Sequence, residues 1–218
     1  MSEQDSEKLT FTWFGIWFLI IQILMLIILI PNSWIEKVVI EEATMLEEDF
    51  GYQTSSYILE KGFSWYEFAF VDSGINDKVY SFFMLTEDER QRSTGLEELG
   101  KNTWYPWIEE RGRTLRLTLI LIFDRLSQLF IWIPFFILIM ITAAWDGYMS
   151  WKLKYLSFAY SSPWFHRFSM KAINIITLSI ILIMFIPVAI KPIILPLVIL
   201  VTTPAIAIAL ISNLPKKI

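Results

Sequence analysis

The chain has 218 residues, 55% of them hydrophobic, a mean hydropathy of +0.52 and a formal net charge of −4, which is the balance of a membrane protein with one soluble portion. It has no cysteine and a single histidine, His166; disulfides, thiolate metal sites, a Cys nucleophile and a His-rich metal centre are thereby excluded. The charge is uneven: residues 32–116 carry nine Lys/Arg and seventeen Asp/Glu, whereas residues 144–171 carry four Lys/Arg and one Asp.

The first ten residues are polar and their charge is mostly acidic. A signal peptide opens on a basic region and ends at a small-residue cleavage site, so an uncleaved anchor is expected here. That anchor is residues 11–31. Residues 11–30 hold no charge, and Gln22 is their one strongly polar group. At about 1.5 Å per residue they reach roughly 30 Å, the thickness of a bilayer's hydrocarbon core.

Residues 32–116 read as a mostly helical extracytoplasmic domain with a stalk. Asn32 or Ser33 is placed to cap its first helix. Trp34, Val38, Met45 and Leu46 would form that helix's apolar stripe, with Glu41, Glu42, Glu47, Glu48 and Asp49 on a solvated face. Gly51, Lys61-Gly62, Asp72-Ser73-Gly74 and Ser93-Thr94-Gly95 punctuate residues 51–103 as turn signals. Thr86 to Glu89 resembles a capping box opening a charged helix.

A helical pattern then runs from Trp104 to about Trp145, with residues 117–144 as the second transmembrane segment. It contains Asp124, Arg125 and Gln128. Two placements fit. Either Asp124 and Arg125 lie inside the membrane, where ionisable groups mark function, or the span proper is residues 126–144 and both sit among the headgroups. The second is preferred, because nineteen residues already suffice. Adjacent helical residues do not face each other, so Asp124 and Arg125 are not expected to pair, whereas Asp124 and Gln128 share a face. Pro134 should kink the span.

Residues 145–171 form a cytoplasmic aromatic and basic loop. Tyr148, Trp151, Tyr155 and Phe158 succeed each other at helical spacing, with Lys152 and Lys154 off the stripe. That pattern fits a short interfacial helix with its cations near anionic headgroups; it equally fits a connector carrying the aromatic belt of two flanking spans. Ser162 and Pro163 fit the N-cap and first position of the next helix. Residues 172–211 read as a transmembrane hairpin of two nineteen-residue helices joined at Lys191-Pro192 and rich in proline, with the tail 212–218 after it. Ala205 and Ala209 make a small-xxx-small pair suited to close helix approach.

The fold class expected is therefore all-α: an integral membrane protein with four transmembrane helices and a mostly helical extramembrane domain between the first and second. Four spans put both termini on one side. The Lys/Arg of 144–171 and of the tail place that side in the cytoplasm, whereas Arg111, Arg113 and Arg116, just outside the second span, point the other way. No Gly-rich phosphate loop, HExxH or GxSxG motif occurs. A non-enzymatic assembly or scaffold subunit with no cofactor and no metal site is expected, with a homo-oligomeric channel or transporter component built on Asp124 and the Pro-rich hairpin as the alternative.

One block carries a resemblance. Asp146-Gly147, Lys152, Lys154, the run from Phe158 to Pro163 and His166 are similar to a signature of the integrating conjugative element membrane proteins of bacteria, a domain-of-unknown-function family. The plan of spans resembles that family too, while residues 40–103 match nothing in it. The resemblance implies an inner-membrane protein of a conjugative DNA-transfer, type IV secretion machine. Its partners would be the lipid bilayer, other membrane subunits and a coupling ATPase, with no direct contact to nucleic acid. It brings no catalytic residues. The contact residues expected in the block are Asp146, Gly147, Lys152, Lys154, Tyr160, Ser162, Pro163 and His166, because cations, aromatics and a capped turn converge there outside the bilayer.

Overall fold

The computed structural model describes residues 3–75, 78, 105–157 and 162–214. All the regular structure among them is helical: α1 (Glu3–Leu29), α2 (Asn32–Phe50), α3 (Tyr52–Tyr66) continued by a π-helical turn (Glu67–Val71), α4 (Tyr105–Leu156), α5 (Pro163–Met184) and α6 (Ile194–Ser212). Three stretches among the described residues are long and apolar enough to cross a membrane: Trp107–Leu156, Trp164–Met184 and Ile194–Ser212. Within α1 the apolar stretch so described is Gly15–Met25. The capping box at Thr86 and the turn at Ser93-Thr94-Gly95 lie outside the described residues.

The chain divides into two compact units, Met1–Ser127 with Phe185–Ile190, and Gln128–Met184 with Lys191–Ile218. In the first, α2 and α3 pack together. Pro31, in extended conformation, precedes α2 and accepts a bond from the Trp34 N–H at 3.0 Å. The helix thus begins at Asn32 itself and no side chain caps it, so the expected Asn32 or Ser33 cap is not made. Gly51 turns the chain from α2 to α3 at φ +78°, a conformation glycine adopts without a Cβ penalty.

The stripe that α2 buries differs from the expected one. Ile35, Val38 and Leu46 are buried, and Trp34 is exposed. Ile35, Val38, Glu42 and Leu46 step by 3, 4 and 4, which is one helical face. Glu42 therefore belongs to the inward face, not to the solvated acidic run.

Helix α3 lies antiparallel along α4. The Ser127 hydroxyl donates to the Ile58 carbonyl at 2.9 Å, Gly62 abuts Asp124, and the Tyr66 and Phe70 rings meet Phe123 edge-on with centroids 6.4 and 6.1 Å apart. The turn expected at Gly62 is not made. This glycine sits inside α3, where a Cβ would stand 2.9 Å from the Asp124 Cα. It is needed for helix contact, not for bending.

Arg111 closes the end of α1. Its guanidinium donates to the Ile30 carbonyl at 2.8 Å and the Ile28 carbonyl at 3.4 Å. Those carbonyls have no partner within α1, and a cation at a helix C-terminus also meets the dipole favourably. Arg113 pairs with Glu109 one turn away at 3.5 Å. These two arginines are accounted for by local chemistry, so they are weak witnesses on membrane orientation.

In the second unit, α5 and α6 pack on each other. The hairpin expected over 172–211 departs from its outline. Helix α5 stops at Met184, and residues 185–193 are not helical before α6 begins at Ile194. Pro187 and Pro192 explain the break, since each disfavours helix in the residue before it and lacks an N–H donor. Helix α4, in turn, runs on past Trp145 to Leu156. Residues 145–156, expected in a loop, are its last three turns, and α4 passes through Pro134.

Candidate functional site

Two clusters bring together the residues singled out by the sequence. The first surrounds Arg125 and lies within the first unit. Helix α4 buries Thr114, Thr118, Leu121 and Arg125, a 4, 3, 4 spacing that forms one face. Arg125 is 4% exposed and Glu42, reaching from α2, 12%. The guanidinium grips the carboxylate with both edges: Nε to Oε2 at 3.1 Å and Nη2 to Oε1 at 2.5 Å. Bidentate pairing of this kind is the strongest form of ionic hydrogen bond in proteins.

The remaining capacity of both groups goes to the break after α5. Arg125 Nη1 donates to the Ile186 carbonyl at 2.9 Å and Nη2 to the Val188 carbonyl at 2.8 Å. The Ile190 N–H donates to Glu42 Oε1 at 2.9 Å. The Trp34 indole N–H donates to the Pro187 carbonyl at 2.8 Å. Backbone groups that helix would otherwise satisfy are thus met by side chains of α2 and α4.

Asp124 stands beside this clamp without joining it. Its Oδ1 is buried and makes no hydrogen bond among the described residues. As expected from helical geometry, it does not pair with Arg125. Gln128, the next residue of α4's buried stripe, belongs to the second unit and donates to the Pro192 carbonyl. Asp124 packs on Gly62, and Gln128 bonds Pro192 just ahead of α6.

The second cluster collects the Asp146-to-His166 block around the C-terminal end of α6. Gly147 lets α4 approach closely, since a Cβ there would lie 3.0 Å from the Ile211 Cβ and 3.3 Å from the Ile208 Cα. At Gly147, α4 meets α6 at Ile208 and Ile211, and Ala205 is exposed. Lys154 Nζ donates to the Ser212 carbonyl at 3.2 Å and to Asn213 Oδ1 at 3.3 Å. The Ser162 N–H donates to the same Asn213 oxygen at 3.4 Å, while the Asn213 amide donates to the Ala209 carbonyl at 2.8 Å. Asn213 therefore ties three helix ends together. Sequence reasoning missed this role, because Asn213 reads there only as part of the tail. Trp151 donates to the Leu214 carbonyl at 3.3 Å, and His166 Nδ1 lies 3.5 Å from the Leu210 carbonyl.

Lys154 thus sets a cation at the C-terminus of α6, a placement worth about 0.3–1 kcal/mol. Asp146 and Lys152 are exposed. Pro163 is the first residue of α5, and Tyr160 falls outside the described residues, as does Phe158. The aromatic stripe forms a ladder on the last turns of α4: Tyr148 on Trp151 with centroids 6.1 Å apart, and Trp151 on Tyr155 at 5.6 Å. Trp164 and Phe168 stack at 5.5 Å on the first turns of α5.

Among the described residues no group of three or more His, Cys, Asp and Glu is arranged to hold a metal ion. Residues 34–214 match the model of a family described as IncC plasmid conjugative DNA transfer protein, DtrJ-like. No curated protein and no solved structure matches the chain.

Proposed function

The chain belongs to the DtrJ-like family of conjugative DNA transfer proteins, and from that premise we propose that it is a non-enzymatic assembly subunit of the transfer machine in the bacterial inner membrane. In this reading α1, the apolar part of α4, α5 and α6 make four spans with both termini in the cytoplasm. Residues 32–116 are extracytoplasmic, and residues 145–171 face the cytoplasm. The machine is a type IV secretion channel, and the partners are its other membrane subunits and a coupling ATPase. The observation that carries the reading is the second cluster. Gly147, Lys154, Ser162 and His166 are spent on joining α4, α5 and α6, which leaves Asp146 and Lys152 as exposed polar groups on a braced support beside an aromatic ladder. Aromatic side chains of that kind belong at a membrane–water interface.

The test is affinity purification of the tagged protein from its native host in mild detergent, with mass spectrometry of what accompanies it. Secretion-channel subunits or a coupling ATPase should be recovered. Lys152→Glu should lower that recovery several-fold while leaving the melting temperature unchanged, because the side chain is exposed. Lys154→Glu should lower both, since it sets a carboxylate against the C-terminal carbonyls of α6. Full recovery with Lys152→Glu would remove that residue from the contact surface.

A second reading is favoured by one specific observation, the non-helical segment between two apolar helices. Membrane transporters build substrate sites where a helix is interrupted within the bilayer, and this reading takes the segment as such an interruption instead of a connection between two spans. On that reading the chain is a homo-oligomeric channel or transporter component, and Asp124 lines its working part. Asp124→Asn would then abolish transfer while co-purification of partners stays intact; transfer at the wild-type rate would eliminate this role.

A further inference from the structure

The contacts of Arg125 account for its guanidinium on both edges. Nε and Nη2 meet the Glu42 carboxylate, and Nη1 and Nη2 meet the carbonyls of Ile186 and Val188. The acceptors are prepared for it. Glu42 is oriented by the Ile190 N–H, and the backbone between the two carbonyls is held from the Pro187 side by the Trp34 indole. These acceptors belong to α2 and to the break, and the cation comes from α4. A flat fork of donors fits this set, whereas an ammonium is a point charge that cannot span the carboxylate and both carbonyls at once.

We propose that the break between α5 and α6, together with Glu42, is a binding site for an alkylguanidinium group, and that Arg125 is its tethered occupant. The latch between α4 and the break is then a ligand contact, and the site accepts the same chemical group supplied from elsewhere. This inference stands on the clamp's geometry and is independent of the assembly reading above.

Chemical rescue tests it. The chain has no cysteine, so Ala189→Cys places a single thiol in the break. In full-length protein in detergent, maleimide labelling of that thiol should be slow. Arg125→Ala should speed it roughly tenfold or more, the factor that corresponds to losing one hydrogen bond between charged groups. Methylguanidinium, added well below denaturing concentrations, should restore slow labelling saturably. Ammonium at equal ionic strength should not, and Glu42→Gln in the same background should abolish the rescue. Absence of rescue, or equal rescue by ammonium, would overturn the proposal. Should Arg125→Ala not survive extraction, Arg125→Lys serves in its place. Fast labelling reversed by methylguanidinium is then expected, and protection at the wild-type level would show that charge alone fills the site.

Discussion

Arg125→Met is expected to cost the protein about 3–5 kcal/mol of stability, the usual penalty for breaking a buried ion pair from one side. The size comes from the groups left behind. Glu42, 12% exposed, would lose its cationic partner and retain the Ile190 N–H. The carbonyls of Ile186 and Val188 would lose their Arg125 donors as well. Glu42→Leu should be damaging for the converse reason, leaving a guanidinium with carbonyls but no counter-charge. The double variant Glu42→Leu/Arg125→Met should lose less than either single variant, because it buries no uncompensated charge. Tryptophan-fluorescence melts of the wild type and the three variants in detergent, treated as a double-mutant cycle, measure this. A double variant whose loss equals the sum of the two single losses would mean that the pair is not coupled and that the clamp is not what holds residues 185–190.

The other large effect is expected at Gly62. Any side chain there begins with a Cβ 2.9 Å from the Asp124 Cα and 3.0 Å from its nitrogen. Those are backbone atoms of a helix and cannot swing aside, so α3 must move off α4. Gly62→Val should destabilise by about 3 kcal/mol or more, at the upper end of overpacking costs, and Gly62→Ala by somewhat less. The movement would also strain the Ser127–Ile58 hydrogen bond and the Tyr66–Phe123 contact, which lie one turn to either side. Gly112 provides the control. It is exposed inside α4, and a Cβ added to it would meet nothing within 4 Å. Gly112→Ala should therefore stabilise by about 0.5–1 kcal/mol through helix propensity alone. Thermal melts of the two alanine variants should shift in opposite directions. A neutral Gly62→Ala would show that α3 does not pack on α4 at this point.

Several features are legible in the sequence because they depend on near neighbours. Hydrophobic runs, the uneven charge, the aromatic spacing from Tyr148 to Tyr155 and the start of α5 at Pro163 are all local properties. The Asp146-to-His166 block and the family it resembles are legible in the same way, and the match over residues 34–214 agrees with it. Glu42 is not. An acid beside Glu41 reads as solvent-facing, and the cue that it is not is its place in the stripe Ile35, Val38, Glu42, Leu46. Taking Trp34 as the start of the stripe shifts the buried face by one residue and hides that cue. Gly62 is illegible for a related reason: a lone glycine looks the same whether the chain must turn or another helix must come close.

The sequence by itself determined that this is an all-helical chain with long apolar helices, that its charged residues divide into an acidic stretch and a basic one, and that it belongs among conjugative DNA transfer proteins. The first two come from composition and periodicity and the third from a short motif, all of which act over a few residues at a time. Only the tertiary structure decided which charges are structural. It placed Glu42 against Arg125, 83 positions apart in sequence, joined Arg125 to carbonyls and Glu42 to an N–H of a break more than 60 positions further on, and set Lys154 against the C-terminal carbonyl of α6. A buried charge must find its partner wherever the fold brings one within reach, and that distance in space is not written in any local pattern.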